Sequence, residues 1–325
     1  MVVLSCTLPY ETNLLLEEVK LQGASEQNRD MGHSDGPPDT RGAGQVGLRW
    51  LTAAIVIPIV LVLVWFGGWV AFAGAVLVTV ISLSELYYMM HHSAGYHPQI
   101  GISIGLSILF LVAAMIPAQR LLILEIGLSV VVLVSFPALF FRQKLDGAIV
   151  DWSLTLAIAI YLGWPMSCLL LLRGYEPVTI QFYPMFALHL PRGSWWLLTV
   201  LLGDWGFDSA AFFSGRYLGR HKVAPNISPG KTWEGVIGGL VLSIPAALVF
   251  TVLPLGVPWY LAVVLGLLIG VAAVLGDLAE SFIKRQSHVK DSGQIMPGHG
   301  GLLDRIDSLL FVVIVVFLFA QFFGK

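Results

Sequence analysis

The chain has 325 residues, 57% of them hydrophobic and 12% charged, with a net charge of −2 and a mean hydropathy of +0.82. Soluble domains carry roughly 25% charged residues, so a water-facing surface cannot be built from this supply, and the near-neutral balance excludes a nucleic-acid binder that relies on basic charge. Two distant cysteines, Cys6 and Cys168, exclude a disulfide framework and a cysteine-based zinc site, which leaves an integral membrane protein.

Residues 1–48 differ from everything that follows. They hold seven of the twenty acids and a Gly/Pro/Ser-containing run from Gly32 to Gly47. That composition predicts a disordered cytoplasmic tail with one short helix near Leu14 to Leu21. The opening MVVLSCTLPY has no basic n-region, so no signal peptide is expected.

From Trp50 onward, apolar runs recur at lengths suited to a hydrocarbon core of about 30 Å, which takes roughly 20 helical residues. The expected fold is all-α and polytopic, with about nine spans near 50–66, 68–89, 98–117, 120–141, 151–172, 195–217, 235–254, 258–283 and 302–323. The first two are joined by little more than Gly67–Gly68. Runs this long and continuous are not alternating barrel strands. The chain divides into five N-terminal spans over 49–194 and a four-helix region with cytoplasmic loops over 195–325. Fourteen of the eighteen Lys and Arg residues then share one side with the tail. By the positive-inside rule that side is cytoplasmic, with the C-terminus opposite, at the plasma (inner) membrane.

Acids inside spans cost about 2.5–3.5 kcal/mol each on insertion scales and are functional candidates by default. Asp204 and Asp208 lie four apart in the sixth span, on one helix face. Asp277 and Glu280 lie three apart near the cytoplasmic end of the eighth. Asp304 and Asp307 open the ninth. One such pair alone reads equally as a structural ion pair; three pairs on one side favour a shared hydrophilic pocket. The loop after the sixth span supplies Arg216, Arg220, Lys222, Ser228, Lys231 and Thr232, and that after the eighth Lys284, Arg285, Lys290 and His299. Acids that suit a hard cation, beside bases and glycines that suit phosphate oxygens, describe a metal–nucleotide site. The same bases also suit topology enforcement or anionic lipid.

Ser228-Pro229-Gly230-Lys231-Thr232 contains the GKT of a P-loop, but the first glycine of that motif would fall at Pro225, so it is not a Walker A loop. His91, His92 and His97 have no partners at metal-ligand spacing and read as interfacial residues. Glu85 and Glu125, lone acids in the second and fourth spans, read as structural hydrogen-bonders. Trp50, Trp195, Trp196, Trp259 and Tyr260 read as interfacial anchors.

The run Ser281-Phe-Ile-Lys284-Arg285, Lys290-Asp291-Ser-Gly293, Pro297-Gly-His299-Gly300-Gly301-Leu-Leu-Asp304-Arg305-Ile-Asp307 resembles the signature of the phosphatidate cytidylyltransferases, the CDP-diacylglycerol synthases. About 27 residues agree in order and spacing, and Met296 is a mild departure. The stretch around Asp204 and Asp208 and the Ser228–Thr232 segment look like that family too, so the resemblance covers about 200–310.

The resemblance implies a homodimeric enzyme that converts CTP and phosphatidic acid to CDP-diacylglycerol and pyrophosphate with Mg²⁺, and with a second cation, often K⁺. It implies that Asp277, Asp304 and Asp307 ligate the metal, acting in catalysis with Lys231, Lys284, Arg285 and His299. Ser228, Pro229, Lys231, Thr232, Asp208, Lys290, Asp291 and Arg305 would bind substrate. Two other readings are a CTP-dependent prenol kinase and an ion-coupled secondary transporter. The DGxxAR-type motif of CDP-alcohol phosphatidyltransferases is absent, because Ser209-Ala210-Ala211 follows Asp208.

Overall fold

The computed structural model describes residues 54, 56–141, 146–174, 190–293, 295 and 300–324. The polar tail with its short helix, the start of the first span, and His299 lie outside the described residues.

Nine α-helices occur among the described residues: α1 (Val56–Phe66), α2 (Gly68–Tyr88), α3 (Ile100–Met115), α4 (Arg120–Ser135), α5 (Ala148–Arg173), α6 (Arg192–Leu218), α7 (Trp233–Leu255), α8 (Trp259–Gln286) and α9 (Asp307–Phe323). Five helical stretches are long and apolar enough to cross a membrane: Gly68–Ser93, Pro117–Phe140, Ala148–Arg173, Trp233–Leu255 and Trp259–Gln286. Apolar α1, α3 and α9 are shorter. The all-α polytopic expectation therefore holds, and α4 shows how such a protein meets lipid. Almost none of α4 is buried, and Leu121 is 75% exposed. An apolar face of that extent suits contact with hydrocarbon.

The Gly67–Gly68 joint is a true turn. Both residues have positive φ, +60° and +49°, which an L side chain rarely adopts. The reversal leaves the last carbonyls of α1 without helical partners. Arg173, from the end of α5, donates to the Val64 and Trp65 carbonyls at 2.8 and 2.9 Å, and Ser194 donates to Val64 at 3.1 Å. A basic residue at the end of one apolar helix thus works as the cap of another.

One apolar core, with Leu83, Leu162, Trp196, Leu265 and Leu310 fully buried, runs through helices from both halves of the described chain. Polar side chains inside it bond backbone carbonyls across helices. Ser103 donates to Thr155 O at 2.8 Å, Ser107 to Ala159 O at 3.2 Å and Ser243 to Gly266 O at 3.0 Å. Small residues allow such close approach, as expected for helix packing in lipid.

The most extensive helix pair is α6 with α7. Between them runs an antiparallel hairpin, β1 (Lys222–Ala224) and β2 (Ser228–Thr232), with Lys222 opposite Thr232. Strand β2 leads straight into α7, whose first turn Thr232 caps by accepting the Gly235 N–H at 3.2 Å. Helix α8 meets α9 at Gly276, where a Cβ would lie 2.6 Å from Asp307 O and 2.8 Å from the Ser308 Cα. That contact sets Asp277, the next residue, against the start of α9.

Candidate active site

The carboxylate-bearing helices converge as their spacing suggests. A cavity of about 550 Å³ is lined from α6 by Asp208 and Arg216, from β2 by Ser228, Lys231 and Thr232, and from α8 by Asp277. Asp304 and Arg305 of a single 3₁₀ turn (Leu303–Arg305) and Asp307 of α9 complete it. Nine of the residues singled out in the sequence thus share one pocket. Its formal charge, four carboxylates against Lys231, Arg216 and Arg305, is 3 − 4 = −1.

Lys231 Nζ sits 2.6 Å from Asp277 Oδ2, tying the strand to α8, and also reaches Val274 O at 3.5 Å. Ser281 donates to the other Asp277 oxygen at 3.2 Å. Asp307 accepts the Ser308 N–H at 2.8 Å. Buried Asp204 lies one turn before Asp208 on α6. Its Oδ2 accepts from the Ser308 hydroxyl at 3.2 Å, whereas Oδ1 has no partner among the described residues.

Asp304 is held differently. It accepts from Lys284 at 2.8 Å, from the Gly301 N–H at 2.9 Å and from the Ser292 N–H at 3.1 Å. Burial would raise its pKa, but the Lys284 ammonium and the Gly301 N–H outweigh it and bring the carboxyl down to about 2. Lys284 also contacts the fully buried Glu280 at 2.6 Å, so a Glu280–Lys284–Asp304 chain braces the loop behind the pocket wall.

The other sequence candidates stand outside the lining. Arg285 donates to Ile227 O at 3.3 Å and Val289 O at 3.4 Å, fastening the hairpin to the end of α8. Pro229, Lys290 and Asp291 are exposed. Two of the three histidines near α2 meet each other and α5 instead: His91 and His97 approach at 2.9 Å, and the His97 N–H donates to Asp151 at 2.8 Å.

Glu85 was legible only as a lone acid that makes structural hydrogen bonds. It does so, and what it binds is the site loop. From α2 it accepts the Leu302 N–H at 2.9 Å and the Leu303 N–H at 2.8 Å, immediately before Asp304. Gly293 and Gly301 flank its carboxylate, where an added Cβ would lie 2.7 and 2.9 Å from its oxygens. Its burial in a span signalled that a partner exists. A partner 217 residues away left no signal in local pattern. Ser308, which contacts both Asp204 and Asp307, was missed because a serine in an apolar run carries no mark of its own.

Hard oxygen donors dominate the pocket, and that donor chemistry suits a cation such as Mg²⁺. As arranged, no group of three His, Cys, Asp or Glu among the described residues has the spacing of a closed ligand set. A bundle of apolar helices around an acid-lined pocket that also bears Lys and Arg is the architecture of a polytopic membrane enzyme, and such a pocket suits an anionic substrate. The model of the cytidylyltransferase family matches residues 47–323, and the chain belongs to that family. A phosphatidate cytidylyltransferase of Brucella suis is 34% identical over 281 residues, covering 85% of this chain and 94% of that protein. Proteins of the same name from Synechocystis and Haemophilus influenzae are 34% identical over 296 residues (83% and 95% covered) and 47% identical over 125 residues (36% and 43% covered).

Proposed function

We propose that this chain transfers the cytidylyl group of CTP to phosphatidic acid, giving CDP-diacylglycerol and pyrophosphate. The observation that carries this reading is the single pocket in which Asp208, Asp277 and Asp307 meet Lys231, Arg216 and Arg305 at the ends of apolar helices. The relatives' shared name supports it.

A phosphate oxygen of phosphatidic acid attacks the α-phosphorus of CTP; the bond from that phosphorus to the bridging oxygen breaks, and pyrophosphate leaves with the electron pair. A phosphate monoester loses its second proton near pH 6, so the nucleophile needs no strong base at neutral pH. The barrier is the approach of two anions, and catalysis rests on offsetting charge and aligning the groups. Lys231, held at the end of β2, would ground the triphosphate, with Ser228 beside it. Arg305 and Arg216 would offset charge on the lipid phosphate and departing pyrophosphate.

Mg²⁺ belongs to this proposal: Asp277 and Asp307, with Asp208 nearby, would hold it. Asp304, the third ligand the resemblance implies, is already engaged by Lys284 and two amides. The cation would supply Lewis-acid charge for the phosphates. A second cation such as K⁺, a homodimer, and an inner-membrane orientation with the pocket facing cytoplasmic CTP complete the reading.

The test is incubation of the purified chain with α-labelled CTP, Mg²⁺ and phosphatidic acid. Label is expected in the lipid phase as CDP-diacylglycerol. A lipid kinase would instead transfer only γ-label, and a transporter would consume no nucleotide. Asp277→Ala is expected to remain in the membrane without turnover; near-normal activity of that variant would refute the assignment.

A further inference from the structure

A second cavity, of about 460 Å³, lies beside the acid pocket and is almost wholly apolar. Its walls come from the α1–α2 hairpin, from Met166 and Leu169 of α5, from Leu197 to Trp205 of α6, and from Ile306 and Leu309. Its volume falls in the range of small-molecule sites, roughly 300–1,000 Å³. Among the residues lining it, Arg305 alone carries a charge, and Arg305 also lines the acid pocket. The two cavities therefore share one residue, and it is a cation.

The dimensions of the apolar cavity are informative. Along α2 it is lined from Ile81, one turn from Glu85 and the site loop, to Ala71 near the far turn. Ten residues of helix at 1.5 Å each span about 15 Å. That is half of a hydrocarbon core of ~30 Å, the depth of one leaflet. Ile59 and Leu77, 53% and 61% exposed, stand at its outer lip, so it opens sideways to lipid.

Resting on the cytidylyltransferase reading above, we infer that this crevice holds one acyl chain of the phosphatidate substrate, with its phosphate at Arg305. The occupant is amphiphilic because the crevice is apolar along its length and cationic at the end that joins the reaction pocket. The consequence is positional: a chain lying in the crevice keeps the headgroup from sinking into or leaving the leaflet, and presents its phosphate oxygen to the pocket from the Arg305 side.

The test narrows the crevice from each helix of the α1–α2 hairpin, with Val78→Trp on α2 and Val60→Trp on α1, using the full-length chain in detergent–lipid mixed micelles. The readout is kcat/KM for dioleoyl phosphatidate divided by that for dihexanoyl phosphatidate, whose short chains scarcely enter. Each variant is expected to lower this ratio at least tenfold while KM for CTP stays within twofold. Leu121→Trp, on the lipid-facing α4, is expected to leave the ratio unchanged. A ratio within twofold of wild type in both crevice variants overturns the inference, whether the two activities fall together or only the oligomeric state changes. In the unmodified protein, dioleoyl-length phosphatidate with a diazirine on one acyl chain is expected to label α2 between Ala71 and Ile81. Label confined to α4 overturns the inference without recourse to any variant. Failure of the cytidylyltransferase reading looks different: the unmodified chain would make no CDP-lipid from either phosphatidate.

Discussion

Glu85 offers the sharpest test of how the site is built. Its carboxylate is 5% exposed and is the acceptor for two consecutive backbone N–H groups, at Leu302 and Leu303. Hydrogen bonds to a charged group contribute about 1.5–3 kcal/mol each, and a buried N–H left without an acceptor costs a similar amount. Glu85→Gln keeps one acceptor oxygen and turns an amide NH₂ toward the other N–H. It should therefore destabilise the seated loop by about 1.5–3 kcal/mol, or about 10- to 150-fold in its population, at 1.4 kcal/mol per tenfold. Glu85→Ala loses both bonds and should cost more. Because Leu303 precedes Asp304, and Asp304 bonds Lys284, Ser292 and Gly301, an unseated loop loses that chain of contacts together. The assay is kcat/KM for CDP-lipid formation in purified variants, alongside limited proteolysis between residues 287 and 305. Activity is expected to fall at least tenfold in Glu85→Gln and further in Glu85→Ala, with faster cleavage in that loop and unchanged cleavage elsewhere. Wild-type activity in Glu85→Ala would show that the latch does not position the site.

The Lys231–Asp277 contact at 2.6 Å should appear in a double-mutant cycle of Lys231→Met and Asp277→Asn as a coupling of about 1–3 kcal/mol in ligand affinity, measured by CTP binding; additive effects would mean that the two side chains act independently. At Gly276 a Cβ would press on Asp307 O and Ser308 Cα, so Gly276→Ala should separate α8 from α9. The expected loss is about 1–3 kcal/mol in stability, read from thermal unfolding, together with reduced activity. Asp304, held at about 2 against an ordinary value near 3.9, contributes loop stability that is complete above about pH 5 and is lost as pH falls toward 2. Hydrogen exchange of the Gly301 and Ser292 amides, corrected for intrinsic rate, should thus show constant protection from pH 8 to pH 5. A protection midpoint near pH 6 would contradict this assignment.

Much of this protein is determined by its sequence alone, because hydrocarbon is an unforgiving solvent. A backbone in lipid must bond to itself, so long apolar runs become helices wherever they occur; the expected 151–172, 235–254 and 258–283 appear as Ala148–Arg173, Trp233–Leu255 and Trp259–Gln286. For the same reason an acid inside such a run is costly enough to mark itself, and Asp208, Asp277 and Asp307 were visible as pocket residues before any helix was packed. Only the tertiary structure decided how those residues divide their work. Charge says that Asp304 needs partners but not that Lys284 and two amides hold it, and no local pattern says that the Arg285 guanidinium lies on the carbonyls of Ile227 and Val289. The Glu85 latch and the crevice that ends at Arg305 join surfaces more than two hundred residues apart in the chain. Their existence depends on which helix faces meet, and in lipid that choice rests on close fit and on buried hydrogen bonds, because hydrophobicity is nearly the same on every face.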